Sequence, residues 1–119
     1  MNKRKIGADY EDQAALYLQQ KGFRIIQRNY RCHIGEIDII ARDGEYLVFV
    51  EVKYRQTDSF GTGEFHVDKR KQHTIYRVAQ QFLIWNYPEA VLPPCRFDVI
   101  AIDGLGEITH YPDAFRKER

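Results

Sequence analysis

Between residues 8 and 21, Ala8, Ala14, Ala15 and Leu18 recur at helical spacing, and Gly22 stands where such a helix would stop. Glu11 lies on that same apolar stripe. Residues 23–30, 34–42 and 45–53 are short segments rich in aliphatic and aromatic side chains, which predicts three strands. Asp43-Gly44, between the second and third, is a two-residue hairpin signal. Residues 55–65 are polar and glycine-bearing, as a loop would be. Asp68 can cap a second helix reaching about Tyr87, ahead of Pro88. Its apolar stripe would be Ile75, Val78, Ala79, Phe82 and Trp85, with Lys69, His73, Arg77 and Gln80 on the other side. Pro93-Pro94 introduce a strand over 96–102, and Gly104 to Gly106 turn the chain into a last strand over 107–111. The order αβββαββ predicts an α/β fold with a single mixed sheet flanked by helices. With no repeat, low-complexity tract or linker, one domain over residues 1–119 is expected.

Charges interrupt this pattern where a core should be. Residues 47–50 are apolar on both alternating faces, as in a strand covered on both sides, yet Glu51 and Lys53 follow on one face. The preceding strand carries Asp38 inside an aliphatic run. A two-residue turn at Asp43-Gly44 would pair residues whose numbers sum to 87, setting Asp38 across from Phe49, Glu36 across from Glu51, and Asp38 diagonal to Glu51. Opposed like charges in a sheet cost up to ~1 kcal/mol, and a buried unpaired carboxylate costs more. Three resolutions are open: raised carboxyl pKa values, a Lys53 ion pair, or a bound cation. Mg²⁺ or Mn²⁺ would suit, because both prefer hard oxygen ligands and Mg²⁺ keeps several of its waters. Glu11, aimed from the first helix toward the sheet, can join this cluster or serve as an ordinary surface acid.

Composition narrows the classes. At 44% hydrophobic and 29% charged, the 119 residues can bury a core. No apolar run is long enough for a membrane span, the basic N-terminus is not followed by an apolar signal segment, and two cysteines, Cys32 and Cys95, make neither a disulfide scaffold nor a zinc site. A cytoplasmic protein that does not enter a membrane is the expectation. The net charge of +1 announces no polyanion partner, but its distribution is uneven: seven basic residues face three acids over residues 1–35. A second basic cluster joins Lys53, Arg55, Lys69, Arg70, Lys71 and Arg77. Such patches attract phosphates or simply face water. His33, His66 and His73 lack metal-ligand spacing. Tyr54, Tyr76 and Trp85 suit packing better than stacking on bases, and Asp98 has no assigned role.

Asp38 followed thirteen positions later by Glu51-Val52-Lys53 resembles the signature of the restriction-endonuclease-like PD-(D/E)xK nuclease superfamily. The stretch from Gly7 through Glu11 to Leu18 and Gly22 is similar to the opening of archaeal Holliday-junction resolvases. The whole chain resembles the small bacterial YraN-type family of predicted nucleases, through Gly35-Glu36-Ile37-Asp38, Val50-Glu51-Val52-Lys53 and Phe97-Asp98-Val99. The resemblance implies a restriction-endonuclease-like fold and a Mg²⁺- or Mn²⁺-dependent endonuclease acting on branched or structured DNA. It implies metal ligation by Asp38, Glu51 and the Val52 carbonyl, a catalytic Lys53, and a Glu11 that completes the acidic site. Ile37 stands where the superfamily has proline. Arg28, Arg31, Arg55, Lys69, Arg70, Lys71 and Arg77 would track phosphates, and the loop over residues 60–64 would close over nucleic acid. A symmetric junction suits a homodimer. The alternative is a nucleic-acid-binding module that kept the scaffold with little or no activity.

Overall fold

The computed structural model describes the backbone of residues 3–55 and 67–116, and their side chains from residue 9 onward. The loop over 60–64, most of the segment 55–65, His66 and the basic residues 3–5 as side chains lie outside it. The described elements are α1 (Lys3–Gln20), β1 (Arg24–Arg31), β2 (Glu36–Asp43), β3 (Tyr46–Tyr54), α2 (Lys69–Asn86), a short 3₁₀ turn (Glu89–Val91), β4 (Cys95–Ile102) and β5 (Ile108–Phe115). The five strands form one sheet in the order β1-β2-β3-β4-β5. Every neighbouring pair is antiparallel except β3 and β4, which run parallel because α2 carries the chain between them. This is the α/β, αβββαββ arrangement expected above, and it is consistent with a restriction-endonuclease-like fold. Among the described residues no helix is long and apolar enough to cross a membrane.

The sheet is covered on both faces, which is why β2 and β3 read as nearly continuous apolar runs. On one face Ala14, Ala15 and Leu18 of α1 pack on Ile39, Ala41, Val48, Val50, Ile100 and Ile102. On the other, Ile75, Val78, Ala79 and Phe82 of α2 pack on Ile37, Ile40, Leu47, Phe49 and Val99. α1 ends as its glycine predicts: Gly22 takes φ +95°, its N–H donates to Gln19 O at 3.0 Å, and Phe23 N–H donates to Leu18 O at 2.9 Å. Asp68 caps α2 by accepting from Lys71 N–H at 2.8 Å.

Three expectations are corrected. The hairpin turn is Gly44-Glu45, with Asp43 still in the strand and paired with Tyr46, so opposed residues sum to 89 and not 87. Gly44, at φ +61°, takes the first of the two turn positions, as in a type II′ turn, and Asp43 is held instead by Arg96 at 3.0 Å. Trp85 is not on the buried stripe of α2; it is 75% exposed, and Leu83 packs inward near the helix end. β5 runs on to Phe115, past Pro112, because it lies at the sheet edge and bulges there, with Asp113 at φ +53°.

Candidate functional site

The β2–β3 ladder stops at Ile39↔Val50. One step further the register sets Asp38 level with Glu51, and the two strand ends fork. The N–H of Val52, which an unbroken ladder would pair with backbone, donates to Asp38 Oδ2 at 2.8 Å. Glu51 and Asp38 share a side-chain hydrogen bond. The corrected turn therefore brings the two carboxyl groups face to face, where the expected register made them diagonal, and it removes Glu36 from Glu51. Glu36 pairs with Arg31 instead.

Other elements close the cluster. Lys71, in the first turn of α2, sets its Nζ 3.9 Å from Glu51 Oε2. Lys53 adds a positive charge felt by Glu51 from the same face of β3. Glu11 reaches over from α1, close enough that the charges of Asp38, Glu36, Arg28 and Arg31 all act on it. Its Oε1 is buried and accepts no hydrogen bond among the described residues. An acceptor left so is costly.

Electrostatics record the crowding. Burial pushes the Glu51 carboxyl up to about 7, helped by the Asp38 charge and opposed by Lys71 and Lys53. Asp38 is raised too, chiefly by burial, against the lowering hydrogen bond from Val52 N–H. Glu11 is likewise raised by burial and then by Asp38. Of the three resolutions left open by the sequence, raised carboxyl pKa values are present here. The ion pair to Glu51 comes from Lys71 on the facing helix and not from Lys53.

These shifts carry a stability consequence. The native state keeps a proton on Glu51 up to about pH 7, whereas an ordinary glutamate loses it near 4.5. The unfolded chain holds fewer protons in that window, so the stability linked to Glu51 is fully present below about 4.5 and lost as pH rises through 7. Glu51→Gln keeps an amide donor for Asp38 without the charge. At pH 8 it is expected to unfold at higher temperature than wild type, by up to about 3 kcal/mol in free energy, with little difference at pH 4.5. Equal melting temperatures at both pH values would show that Glu51 is not buried as described.

The donor set suits a small hard cation. Mg²⁺ commonly rests on one or two carboxylates and keeps its remaining waters, and Asp38 and Glu51 offer such a pair. Among the described residues no three His, Cys, Asp or Glu side chains form a group that could hold a metal ion; Glu11 flanks the pair from α1.

The remaining candidates divide. Arg28 pairs with Asp12 at 2.7 Å and Arg31 with Glu36, so both border the acidic cluster with part of their charge taken up. Arg70 and Arg77 are exposed on α2 and form no ion pair with a described acid. Arg55 and Lys69 lie at the ends of β3 and α2, each with an interaction partner. Tyr54 stacks on Tyr10 with ring centroids 3.8 Å apart, which is packing against α1. His33 and His73 are exposed.

Sequence reasoning missed one charged centre. Asp98 is fully buried and level with Val50, on the α1 face of the sheet, away from the acidic fork. It accepts from Arg96 Nε and Nη2, both at 2.9 Å, and from Asp113 N–H at 2.9 Å, and lies 2.8 Å from His110 Nε2. Lys21 Nζ, which can only donate, lies 3.3 Å from His110 Nδ1, so the ring proton belongs on Nε2, facing Asp98. Burial raises the Asp98 carboxyl, but the bonds from His110, Arg96 and Asp113 outweigh it and hold the group below the usual range. The one available signal was an acid in the aliphatic strand 96–102 with Arg96 two residues earlier. Its other partners come from β5, which no local pattern connects to it.

The comparisons with known proteins agree on a family. The model of the uncharacterised protein family UPF0102 matches residues 10–102. A UPF0102 protein of Lachnoclostridium phytofermentans is 48% identical over 103 residues, 86% of each chain. One from Alkaliphilus oremlandii is 47% identical over 118 residues, covering 97% of this chain and all of the relative. One from Sulfurihydrogenibium sp. is 42% identical over 118 residues, covering 99% of this chain and all of the relative. The chain belongs to family UPF0102. Those names state no activity, so a functional reading rests on the side chains themselves.

Proposed function

We propose that this member of family UPF0102 is a divalent-metal-dependent nuclease that hydrolyses phosphodiester bonds in branched or structured DNA. The observation that carries this reading is the pair of carboxyls, half-buried Asp38 and buried Glu51, meeting at the forked end of β2 and β3 beside Lys53 and Lys71. A structural salt bridge would satisfy both acids with cations; here Lys71 pairs with Glu51 at 3.9 Å, and Asp38 is held by the Val52 N–H and by Glu51 itself.

Asp38 and Glu51 would hold Mg²⁺ or Mn²⁺. The Val52 carbonyl is a third donor, since the N–H and C=O of a strand residue point to the same neighbour and Val52 N–H points at Asp38. A cation so held would supply counter-charge for the phosphate and a more acidic water. Glu51 must give up its proton to ligate. Lys53, on the same face, donates to the attacking water or to a phosphate oxygen and offsets the negative charge that builds there. Glu11 Oε1, buried and unpaired, is placed to accept a hydrogen bond from a water in the site. Arg70 and Arg77 on α2 hold the strand by its phosphates.

The test is a metal titration with labelled four-way junction, flap, duplex and single-stranded DNA. Cleavage that requires Mg²⁺ or Mn²⁺ and prefers the junction or flap is expected. Salt-sensitive binding without product under any metal would replace this reading with a binding module on the same scaffold.

A further inference from the structure

The outer surface of α2 is unusual in charge and in what it exposes. Its eighteen residues include Lys69, Arg70, Lys71 and Arg77 and no acid. Arg70, Thr74, Arg77, Gln81 and Ile84 follow one another at steps of four and three, so they form a single stripe along one flank of the helix. That flank borders the β1–β2 connection. A Cβ on Gly35 would come within 2.7 Å of Thr74 Cγ2, and Ile34 joins Arg77, Gln80, Gln81, Ile84 and Trp85 around a groove of about 300 Å³. The groove therefore has a basic wall, an amide wall and an apolar floor. Trp85 is 75% exposed and Ile84 70%, while the helix's inward stripe is fully buried. Core packing does not require either side chain where it is.

The stripe begins at Arg70, the residue before Lys71, which reaches the acidic fork. Lys71 touches Glu51, and Trp85 is fourteen residues further along, about 21 Å at 1.5 Å per residue. A polyanion laid from the fork along this flank meets Arg70, then Arg77, and then a flat aromatic face. An indole ring is a platform for a nucleobase only if that base is unpaired, because the faces of a paired base are covered by its neighbours in the duplex.

We infer that Trp85, with Ile34, Ile84 and Arg77, is a stacking site for an unpaired base, so that the substrate carries a single-stranded segment reaching about 21 Å from the acidic fork. This rests on the nuclease reading and sharpens it: among structured nucleic acids it selects those with a splayed strand over closed duplex. Trp85 and its neighbours are positioning residues, remote from the reacting phosphate.

Trp85 is the only tryptophan in the chain, so its emission reports on this groove alone. The experiment titrates the full protein in EDTA with a splayed-arm DNA and with a blunt duplex of equal length. Expected are quenching of half or more of the emission by the splayed arm, little by the duplex, and binding to the splayed arm that weakens about 5- to 100-fold in Trp85→Ala and recovers in Trp85→Phe. Arg77→Gln should reduce the salt dependence of binding without restoring the emission. Unchanged emission at saturation, or equal quenching by both DNAs, overturns the inference. Quenching on raising protein concentration alone, with a doubled mass in sedimentation, also overturns it, because a second copy then covers the patch. Wild-type protein assayed in parallel for cleavage of the same DNAs with Mg²⁺ or Mn²⁺ separates the two readings. Quenching with no cleavage under any metal removes the nuclease and leaves the stacking site; cleavage with a silent Trp85 removes only the stacking site.

Discussion

Asp38→Asn should melt at or above the wild-type temperature and yet cleave at least about 1,000-fold more slowly. The asparagine Oδ1 can still accept the 2.8 Å bond from Val52 N–H, so the fork keeps its shape. What disappears is the Asp38 charge, which burial holds raised and which in turn helps burial to raise Glu51. Relief of that repulsion favours folding, while the loss removes a cation ligand. Lys53→Ala separates ligation from catalysis. It leaves both carboxyls in place, so Mn²⁺ should still raise its melting temperature, as a ligand of the native state must. Its rate should nonetheless fall by roughly 100-fold or more, the usual effect of deleting one charge-stabilising donor. Single-turnover cleavage and thermal melts with and without Mn²⁺ read both quantities. Rates within tenfold of wild type for both variants would end the nuclease assignment. A Lys53→Ala protein with no Mn²⁺ stabilisation would mean that Lys53 acts by shaping the fork.

Asp98→Ala should be the most destabilising single substitution on the α1 face, at about 3–5 kcal/mol. It leaves the Arg96 guanidinium, whose side chain is 17% exposed, with Asp43 alone, and removes the carboxylate partner of the His110 ring and of the Asp113 N–H. For a chain of this size that is a fall in melting temperature of roughly 15 °C or more. Asp98→Asn should cost less, since one carbonyl oxygen remains. The pH dependence has the opposite sign to that of Glu51. Asp98 is held below the ordinary value of 3.8, so its stabilisation is present above about pH 4 and is lost as the pH falls toward its native pKa. Denaturant melts at pH 3 and pH 6 should therefore show the wild-type advantage over Asp98→Asn shrinking at the lower value. A variant within 1 kcal/mol of wild type at pH 6 would show that the cluster adds nothing net.

The two carboxylates mark how far local pattern reaches. The element order, both helix stops and the two-faced burial of β3 were legible because periodicity and caps are local: Gly22, Asp68 and the run 47–50 each state their role within a few residues. The turn misread by one position shows the limit. Asp43-Gly44 and Gly44-Glu45 are both plausible hairpin turns, and the choice fell to Arg96, which holds Asp43 in the strand from fifty-three residues away. That choice moved every cross-strand partner by two and turned a diagonal pair of acids into a facing one. Lys71, Arg96 and His110 gained their roles in the same way, since each meets its acid across elements that only the sheet order brings together.

The amino-acid sequence by itself determined that there would be one mixed sheet between two helices, with charged residues embedded in its central strands, because burial on two faces and capping are written in local spacing. Only the tertiary structure decided which of those charges meet. It set Asp38 and Glu51 together at a strand fork where no backbone partner remained, and it closed Asp98 inside a shell of donors on the other face. The reason is that pairing energy between charges depends on distance and exposure, and neither quantity exists until the strands have been laid side by side.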